Sequence, residues 1–292
     1  MKILITGAKG QLGRSIHKHA PLFTSLDITY TDVEDLDITD MPALEKYLSA
    51  GNYDYVVNCA AYTAVDKAEE DDVKAFLINT KAVENLSVLS KNLNFGLIHI
   101  STDFIFDGFH YKPYVESDKP GPRSIYATTK ARAEEVMLAN ALNGLIIRTS
   151  WLYSEFGHNF VKTIIRYATE RDSLNIVCDQ TGTPTYAGDL AETLLIILSN
   201  KKIPEGVHIY HYSNEGTASW FDFAKAIVSL SEIDCTIEPI PTEAYPLPAK
   251  RPYYSVLNTS KIKNDFGISI PYWRDSLAAC LKLLPKETEG FS

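Results

Sequence analysis

The sequence opens with Lys2-Ile-Leu-Ile-Thr-Gly7-Ala-Lys-Gly10-Gln-Leu-Gly13, in which an apolar run is followed by three glycines. The apolar run predicts a buried strand, and the residues through about His19 predict a helix. Glycines at such a junction permit a tight turn, a close approach to a pyrophosphate and tight helix packing. The free amides of the helix N-terminus then face the phosphates. The spacing is GxxGxxG rather than GxGxxG, and glycine-rich turns also occur without a ligand, but the position between a strand and a helix favours a dinucleotide site.

The rest of the first half repeats this order of strand and helix. Apolar runs at residues 27–30, 55–58, 97–100 and 145–147 predict strands. Residues 73–93 have helical spacing, and we expect Phe76, Leu77, Val83 and Leu86 to lie in the core. Repeated βα units predict an α/β fold with a doubly wound parallel sheet, the Rossmann arrangement.

Past Arg148 the pattern loosens. Residues 157–169, 189–198 and 220–230 have helical spacing, and strands are predicted near Ile176 and at 207–212. We expect a Rossmann domain that binds NAD(P) over residues 1–150. Residues 151–292 should form a smaller C-terminal α/β lobe that mainly binds substrate, with segments that return to the first domain.

Composition and charge exclude several classes of protein. Hydrophobic residues make up 45% of the chain and charged residues 22%, which is typical of a globular protein. The net charge of −9 disfavours a nucleic-acid partner, and an anionic substrate would need a locally basic pocket, for which Lys250 and Arg251 are candidates. No run reaches the roughly 18–20 apolar residues that cross a bilayer, so we expect no membrane association. No signal peptide is recognisable, and the four cysteines form no CxxC or Cys/His cluster, so we expect a cytoplasmic protein.

A tyrosine and a lysine are candidates for proton transfer. Tyr126 and Lys130 are four residues apart, so on a helix they lie one turn apart, where the ammonium can favour the ionised phenol. The strand at 97–100 would place the Thr102 hydroxyl at the carboxyl end of the sheet, where such folds bind ligands. A YxxxK spacing is weak evidence alone, because both residues are common on exposed helix faces. The dinucleotide site upstream strengthens the functional interpretation.

The acidic residue Asp32 follows Gly13 by 19 residues, about where a carboxylate meets the adenosine ribose. A 2′-phosphate there would be repelled, which favours NADH over NADPH. Alternatively, Asp32 caps or solvates the following loop. Both cofactors therefore stay open.

The order of the motifs resembles that of the extended short-chain dehydrogenase/reductases, and among them the reductases of dTDP-linked 4-keto sugars. The resemblance implies that a hydride passes from reduced NADPH or NADH to the 4-keto carbon of dTDP-4-dehydro-6-deoxy-L-mannose, giving dTDP-L-rhamnose. It spans nearly the whole chain. The blocks that carry it are Asn58-Cys-Ala-Ala-Tyr62-Thr63-Ala-Val65-Asp-Lys-Ala-Glu69, Ser101 to Gly108, Tyr126 to Lys130, Arg148-Thr-Ser-Trp151-Leu-Tyr153, Asp179-Gln-Thr-Gly-Thr-Pro184-Thr185 and Ala249-Lys-Arg251-Pro252 with Ser255.

The resemblance also implies roles for individual residues. Tyr126 would donate the proton, Lys130 would bind the nicotinamide ribose and lower the phenol pKa, and Thr102 would hydrogen-bond the carbonyl oxygen. The pyrophosphate would be held by Gly7, Gly10, Gln11, Leu12 and Gly13, the adenine by Asp37 and Ile38, and the adenosine side by Ala60, Ala61 and Tyr62. The sugar would be lined by Thr63, Val65, Asp103, Phe104 and Trp151, and the diphosphate end would meet Arg251.

Two departures from the family pattern matter. Phe104 stands where relatives commonly have tyrosine, and where the 4,6-dehydratases have the glutamate that removes a proton, so we expect reduction without dehydration. Some relatives bind magnesium at a dimer interface through glutamates, one of them shortly after the glycine turn. This chain has Arg14 and Ser15 there. We therefore predict no metal, and a homodimer stays open.

Two other functions remain compatible with the sequence. The regulatory subunit of methionine adenosyltransferase is similar and keeps the nucleotide-binding fold without reducing a sugar. A reductase of another nucleotide-linked 4-keto sugar would carry the same motifs, because nothing in the sequence specifies the base or the stereochemistry of the new hydroxyl.

Overall fold

A computed structural model describes residues 1–200 and 203–284 and shows an α/β protein. Its strands are β1 (Lys2–Thr6), β2 (Asp27–Thr31), β3 (Tyr55–Asn58), β4 (Gly96–Thr102), β5 (Gly144–Thr149), β6 (Leu152–Tyr153), β7 (Ser173–Val177), β8 (Thr181–Gly182), β9 (Thr185–Tyr186), β10 (Val207–His211), β11 (Ala218–Ser219) and β12 (Thr236–Ile240). Its α-helices are α1 (Gln11–His19), α2 (Met41–Gly51), α3 (Asp72–Phe76), α4 (Ala82–Leu93), α5 (Ile125–Asn140), α6 (Phe160–Glu170), α7 (Ala187–Asn200), α8 (Trp220–Leu230), α9 (Ser260–Phe266) and α10 (Trp273–Leu281).

The central sheet is parallel throughout, as the repeated βα pattern predicts. Its strands lie in the order β10-β5-β4-β3-β1-β2. The chain leaves β1 toward β2 on one side and returns to β3 on the other, so the strand order reverses beside β1. In doubly wound sheets, ligands bind at the carboxyl ends of the strands next to this reversal.

Helices cover both faces of the sheet because side chains along each strand alternate between the faces. Ile3 and Ile5 of β1 pack against α1 and α7 in one apolar cluster. Leu4, between them, packs on the other side with residues of α2, α4 and α5. All three are fully buried. These two layers fix the positions of the glycine turn and of α5, which carry the candidate site.

A second core lies in the C-terminal part of the chain. The parallel pair β7–β12 packs with α6, α8 and α10 around Tyr153, Phe223, Ile227 and Leu277. In contrast, β10 pairs with β5, and α7 packs on the central sheet. The expected division of the chain near residue 150 stays a prediction.

The helical region at 72–93 departs from the sequence prediction. It contains a π-helical turn at Leu77–Lys81 between α3 and α4, so the apolar positions before and after the turn face different directions. Val83 and Leu86 are fully buried, as predicted. Phe76 and Leu77 are 39% and 42% exposed, so their assignment to the core was wrong.

Among the residues that the structure describes, none of the helices combines the length and the apolar character that crossing a membrane requires.

Candidate active site

A cavity of about 590 Å³ opens at the carboxyl ends of the central strands. Its walls come from the glycine turn, from the ends of β3, β4 and β5, from α5 and from the C-terminal core. The catalytic candidates Thr102, Tyr126 and Lys130 line it together with Gly10, Gln11 and Leu12 of the turn. Ala61, Thr63, Val65, Asp103, Phe104, Trp151 and Arg251 complete the part of the lining that the sequence predicted.

The glycine turn has the geometry that its sequence predicts. Gly7 has a φ of +66°, and a Cβ there would lie 2.6 Å from the Ala60 amide nitrogen. A Cβ on Gly13 would lie 2.6 Å from the Gly7 carbonyl oxygen, so α1 packs directly on the turn. No side chain in the described part of the chain caps α1. The first amides of α1 are therefore free to bind an anion at the cavity.

Gln11 makes a connection that the sequence did not reveal. Its Oε1 accepts hydrogen bonds from Ser154 Oγ at 3.1 Å and Asn159 Nδ2 at 2.9 Å. Asn159 also caps α6, where its Oδ1 accepts from the Lys162 amide at 3.2 Å. The glycine turn is thus linked to a helix of the C-terminal core through one side chain. Only the backbone amide and Nε2 of Gln11 remain for a pyrophosphate.

The residues predicted for the adenosine end lie mostly outside the main cavity. Asp32 directly follows β2, and its carboxylate accepts a hydrogen bond of 2.7 Å from the Lys9 amide of the turn. It lines a separate groove of about 470 Å³ with Tyr30, Arg14 and His17. The alternative role of Asp32, capping the following loop, is seen in a hydrogen bond of 2.9 Å from the Val33 amide to its carboxylate. A ribose contact stays a prediction.

The other predicted adenosine contacts surround the same end of the sheet. Asp37 is exposed and accepts a hydrogen bond from the Thr39 hydroxyl at 2.7 Å, whereas Ile38 is buried. The backbone of Tyr62 is held by Asn79, whose Oδ1 accepts from the Tyr62 amide at 2.8 Å. Ala60 contacts Gly7 directly, as described above. Asp37, Ile38, Ala60 and Tyr62 stay predictions as ligand contacts.

Tyr126 lies in the first turn of α5, which begins where Ser124 Oγ accepts from the Ala127 amide at 3.2 Å. Burial raises the pKa of Tyr126 to about 12, the Asp103 carboxylate adds to this increase, and the Thr102 hydroxyl opposes it. Lys130 is not among the groups that lower this pKa. The expectation that Lys130 lowers the pKa of Tyr126 is wrong for these side-chain positions, because Lys130 bonds elsewhere. The phenol keeps its proton at neutral pH.

Lys130, four residues after Tyr126 on α5, is almost completely buried. Its Nζ donates to the Ile100 carbonyl oxygen at 2.6 Å and lies 3.1 Å from His99 Nε2. Burial lowers the pKa of Lys130 to about 8, and the nearby Glu134 carboxylate opposes this shift. Glu134 itself pairs with Arg148 at 2.7 Å. The lysine therefore sits where its charged form is poorly stabilised.

Asp103 is a buried carboxyl group in the cavity wall. Its Oδ1 accepts from the Thr102 hydroxyl at 3.2 Å, and its Oδ2 has no hydrogen-bond partner among the described residues. Burial raises the pKa of Asp103 to about 7, although the hydroxyl groups of Ser255 and Thr102 act in the opposite direction. This group can therefore be protonated or ionised near neutral pH.

Aromatic side chains form the wall opposite the glycine turn. Trp151, which has a left-handed φ of 46°, stacks on Trp220 with ring centroids 3.6 Å apart. Phe160 lies 4.7 Å from the same Trp220 ring. Gly182 is required here, since a Cβ would lie 2.7 Å from the Trp151 ring. Phe104 faces Tyr126 edge-on at 6.0 Å.

Sequence reasoning missed Trp220 and Phe160 as cavity residues. They come from α8 and α6, far along the chain from the motifs around Tyr126, and their sequences signal only helices. A scan for aromatic residues at helix N-termini could have marked them as candidates.

Arg251 lies at the cavity edge and is already paired. Its Nη1 and Nη2 donate to the two Asp66 carboxylate oxygens at 3.0 and 2.7 Å, and the guanidinium holds the pKa of Asp66 below its usual value. Nη1 also donates to the Ala249 carbonyl oxygen at 3.2 Å. The basic character of this end is thus partly neutralised. Lys250, the other candidate, is exposed and does not line the cavity.

The combined groups suit the reduction of a carbonyl group. A hydroxyl and a protonated phenol line the same cavity as the glycine turn, where the first amides of α1 can bind an anion. Within residues 1–200 and 203–284, the structure contains no group of three or more His, Cys, Asp or Glu side chains placed to hold a metal ion. The absence of a metal stays a prediction.

Comparison with known proteins gives consistent results. The model of the RmlD substrate binding domain family matches residues 1–285. The dTDP-4-dehydrorhamnose reductase of Aggregatibacter actinomycetemcomitans is 38% identical over 284 residues, which are 94% of this chain and 97% of that protein.

Solved structures agree with this match. A dTDP-4-dehydrorhamnose reductase from Clostridium acetobutylicum is 41% identical with a TM-score of 0.92, covering 97% of this chain and 99% of that one. The enzyme of the same name from Bacillus anthracis, solved in complex with NADP, is 34% identical with a TM-score of 0.91, covering 96% and 98%.

Proposed function

Because the chain belongs to the RmlD substrate binding domain family, we propose that it is an NAD(P)H-dependent oxidoreductase that reduces dTDP-4-dehydro-6-deoxy-L-mannose to dTDP-L-rhamnose. The observation that carries this proposal is the shared cavity. Thr102, Tyr126 and Lys130 face the same space as the first amides of α1. A reductase needs this juxtaposition of a proton donor and a cofactor.

The residues present fit a dinucleotide cofactor. The positive φ of Gly7 and the close packing around Gly13 bring the backbone of the turn to the cavity, and the uncapped start of α1 offers amides to phosphates. When bound, the reduced nicotinamide supplies the hydride. Lys130 lines the cavity, where its Nζ would hold the ribose.

The side chains around the carbonyl group then supply the proton. Thr102 would donate a hydrogen bond to the carbonyl oxygen, and Tyr126 would transfer its proton as negative charge develops there. The raised pKa of Tyr126 suits this role, because the phenol stays protonated until the oxygen becomes basic. Asp103 and Phe104 would border the sugar from the strand β4 side.

The remaining substrate contacts follow from the cavity walls. Thr63, Val65 and Trp151 would line the sugar, and Trp220 would extend the aromatic wall behind Trp151. Arg251, held in place by Asp66, would meet the diphosphate. The ion pair orients the guanidinium before substrate arrives but also reduces the charge offered to the diphosphate.

Coupled turnover of the dTDP-4-keto sugar with NADPH and with NADH tests the proposal. We expect consumption of the reduced cofactor and formation of the 4-hydroxy sugar. If neither cofactor is consumed, the proposal fails and the regulatory-subunit alternative gains support. Turnover of 4-keto sugars on other nucleotides, at comparable kcat/KM, would assign a different substrate.

A second incubation, with dTDP-glucose and oxidised cofactor, tests the role of Phe104. A phenyl ring cannot accept the proton that elimination requires, so no 4-keto-6-deoxy product should form.

We also propose a cytoplasmic location and no nucleic-acid partner, on the basis of the net charge of −9 and the scattered cysteines. A homodimer stays a prediction, which sedimentation of the purified protein would test.

A further inference from the structure

Glu134 is a buried carboxylate on α5 for which the reduction above has no use. It follows Tyr126 and Lys130 at intervals of four residues, so the three side chains form one row along the helix. Only 3% of its surface is exposed. Burying a carboxylate is costly unless its oxygens are paired, so the partners of Glu134 show which parts of the fold it holds.

Glu134 binds two residues that lie side by side on neighbouring strands. Ser101 of β4 and Arg148 of β5 are Cα partners in the parallel register. The Ser101 hydroxyl donates to Glu134 Oε1, and Arg148 donates from Nε to Oε1 at 3.0 Å and from Nη2 to Oε2 at 2.7 Å. One carboxylate therefore joins the ends of both strands to α5, one residue before Thr102 and Thr149.

The end of β4 is paired with a neighbouring strand on one side only. Among the described strands, β3 pairs with β4 as far as His99, whereas β5 continues the pairing to Thr102. Residues 100–102 are therefore the half-paired end of β4. A strand end with fewer ladder hydrogen bonds opens more easily than a strand that is paired on both sides. Contacts from α5 therefore help to decide where this end lies.

The row on α5 meets consecutive residues of the half-paired end of β4. Lys130 Nζ donates to the Ile100 carbonyl oxygen at 2.6 Å, and Glu134 accepts from the next residue, Ser101. The residue after that carries the hydroxyl that would bond the carbonyl oxygen of the substrate. This hydroxyl opposes the rise in the pKa of Tyr126, so the hydroxyl and the phenol are neighbours. The match between strand and helix thus sets the spacing of the two groups.

Arg148 is also held on its other side. Its Nη1 donates to the Glu116 carbonyl oxygen at 3.2 Å and to His211 Nε2 at 3.2 Å. His211 Nδ1 lies 3.1 Å from the Tyr114 carbonyl oxygen, which can only accept, so Nδ1 carries the proton of this ring and Nε2 accepts. Burial and the nearby guanidinium lower the pKa of His211 to about 3, so the ring is neutral. Glu134 is therefore bound to a cation that is fixed from both sides.

We propose that Glu134 is a positioning residue for the proposed reduction. By holding Ser101 and Arg148, it sets where Thr102 lies relative to Tyr126. These two groups must converge on one carbonyl oxygen, and a displacement of about 1 Å can reduce the rate by a factor on the order of 10². The mechanistic meaning of this inference rests on the proposed function, whereas the contacts of Glu134 do not.

The test removes the bond to β4 and leaves the ion pair intact. Glu134→Gln alone would leave a buried guanidinium without its anion, which strongly destabilises a fold. Ser101→Ala removes only the hydroxyl from which Glu134 accepts, and Ser101→Thr keeps a hydroxyl at this position. Ser87→Ala is the matched control, because Ser87 is also fully buried and donates to the Val83 carbonyl oxygen at 2.6 Å within α4, outside the cavity lining.

Steady-state kinetics with the dTDP-4-keto sugar and NADPH give the first measurement. Ser101→Ala should lower kcat by about tenfold or more, with the KM of the sugar and the Kd of NADPH within about twofold of the wild type, because the binding groups stay in place. A direct contact between Ser101 and the cofactor would instead raise the Kd of NADPH. Ser101→Thr should recover most of the lost kcat, and Ser87→Ala should keep the wild-type value.

Three kinetic results would overturn the proposal. They are a wild-type kcat in Ser101→Ala, an equal loss of kcat in Ser87→Ala, and a loss in Ser101→Ala that appears in the Kd of NADPH rather than in kcat.

Crystal structures of the free variants give a measurement that needs no turnover. The distance between Thr102 Oγ1 and the Tyr126 phenol oxygen should change by more than about 0.5 Å in Ser101→Ala and stay as in the wild type in Ser101→Thr and Ser87→Ala. An unchanged distance in Ser101→Ala would overturn the proposal. If the wild type consumes neither reduced cofactor, the proposed function fails, and the structures still decide whether the bond to Glu134 sets this distance.

Discussion

At the scale of single residues, the proton donor is the first test. Tyr126→Phe should reduce turnover by roughly 10² to 10⁴, the usual effect of a lost general acid, and leave cofactor binding nearly unchanged. The ring remains to pack against Phe104, so the fold of the cavity should be kept. Lys130→Met is the comparison variant, and it should weaken cofactor binding as well as turnover. Wild-type turnover by Tyr126→Phe would show that another group donates the proton.

Asp103 gives a prediction for the dependence of stability on pH. Its pKa is about 7 in the folded protein and near 3.8 ordinarily, so the folded state binds this proton more tightly. The stabilisation from this group is complete at pH below about 4 and is lost as the pH rises through about 7. At pH 8 the folded protein therefore carries a buried charge that weakens it.

Asp103→Asn removes that charge and should raise the Tm relative to the wild type at pH 8 more than at pH 5. Thermal unfolding of both proteins at the two pH values measures the difference, and the wild type at pH 5 is the internal control. An equal difference at both pH values would show that Asp103 titrates normally.

Individual residues also show which contacts can be predicted from the sequence and which cannot. The roles assigned to Gly7 and Gly13 follow from local chain geometry, and the structure shows the contacts that such geometry predicts. The pair Asp66–Arg251 spans 185 positions, and the bond between His99 and Lys130 spans 31. Local periodicity in the sequence cannot predict such pairs, because they form only when strands and helices that are distant in sequence pack together.

At the scale of elements, the strands of the first half could be predicted because each apolar run is short and bounded by polar or glycine residues. The helix α2 was not predicted. The π-turn at Leu77–Lys81 could not, since one extra residue in a helical turn leaves no clear mark in the composition. That single turn changed the burial of Phe76 and Leu77. The small strand pairs of the C-terminal part, such as β6–β9, are likewise too short for a pattern.

The turn between β1 and α1 yields a stability prediction with a matched control. Gly7→Ala should destabilise the protein by more than about 3 kcal/mol, because it combines a strained positive φ with a Cβ 2.6 Å from the Ala60 nitrogen. Gly267, at the end of α9, has a nearly equal φ of +65°, and nothing lies within 4 Å of a Cβ there. Gly267→Ala should therefore cost only the backbone strain, about 1–2 kcal/mol.

Denaturant unfolding of both variants measures the two costs. The difference between them is the contribution of the close contact between the turn and the segment that follows β3. Equal losses would mean that the turn can relax away from Ala60, and the proposed close approach of backbone to cofactor would lose its support.

At the scale of the whole molecule, the cavity is lined by residues of both the central sheet and the C-terminal core, so a ligand bound there can contact both. The contacts that cross this boundary include Gln11 with Ser154 and Asn159, and Lys18 with Glu155 at 2.6 Å. Of these, only Gln11 also lines the cavity at the turn. A cofactor phosphate bound at the glycine turn would restrain the Gln11 side chain. Through its hydrogen bond with Asn159, Gln11 would then restrain the residue that caps α6.

We therefore expect NADPH to slow amide hydrogen exchange in α6, residues 160–170, although the helix lies in the other core. Gln11→Ala removes both hydrogen bonds to the 154–159 segment and should abolish most of this protection, at NADPH concentrations adjusted to give equal saturation. Lys18→Met breaks a second crossing contact, which lies away from the turn, and should keep the protection. Loss of protection in both variants would mean that the two cores move together as a unit. Retention in both would mean that the cofactor reaches α6 by a route other than Gln11, such as the Trp151–Trp220 stack, and either result would contradict the coupling through this side chain.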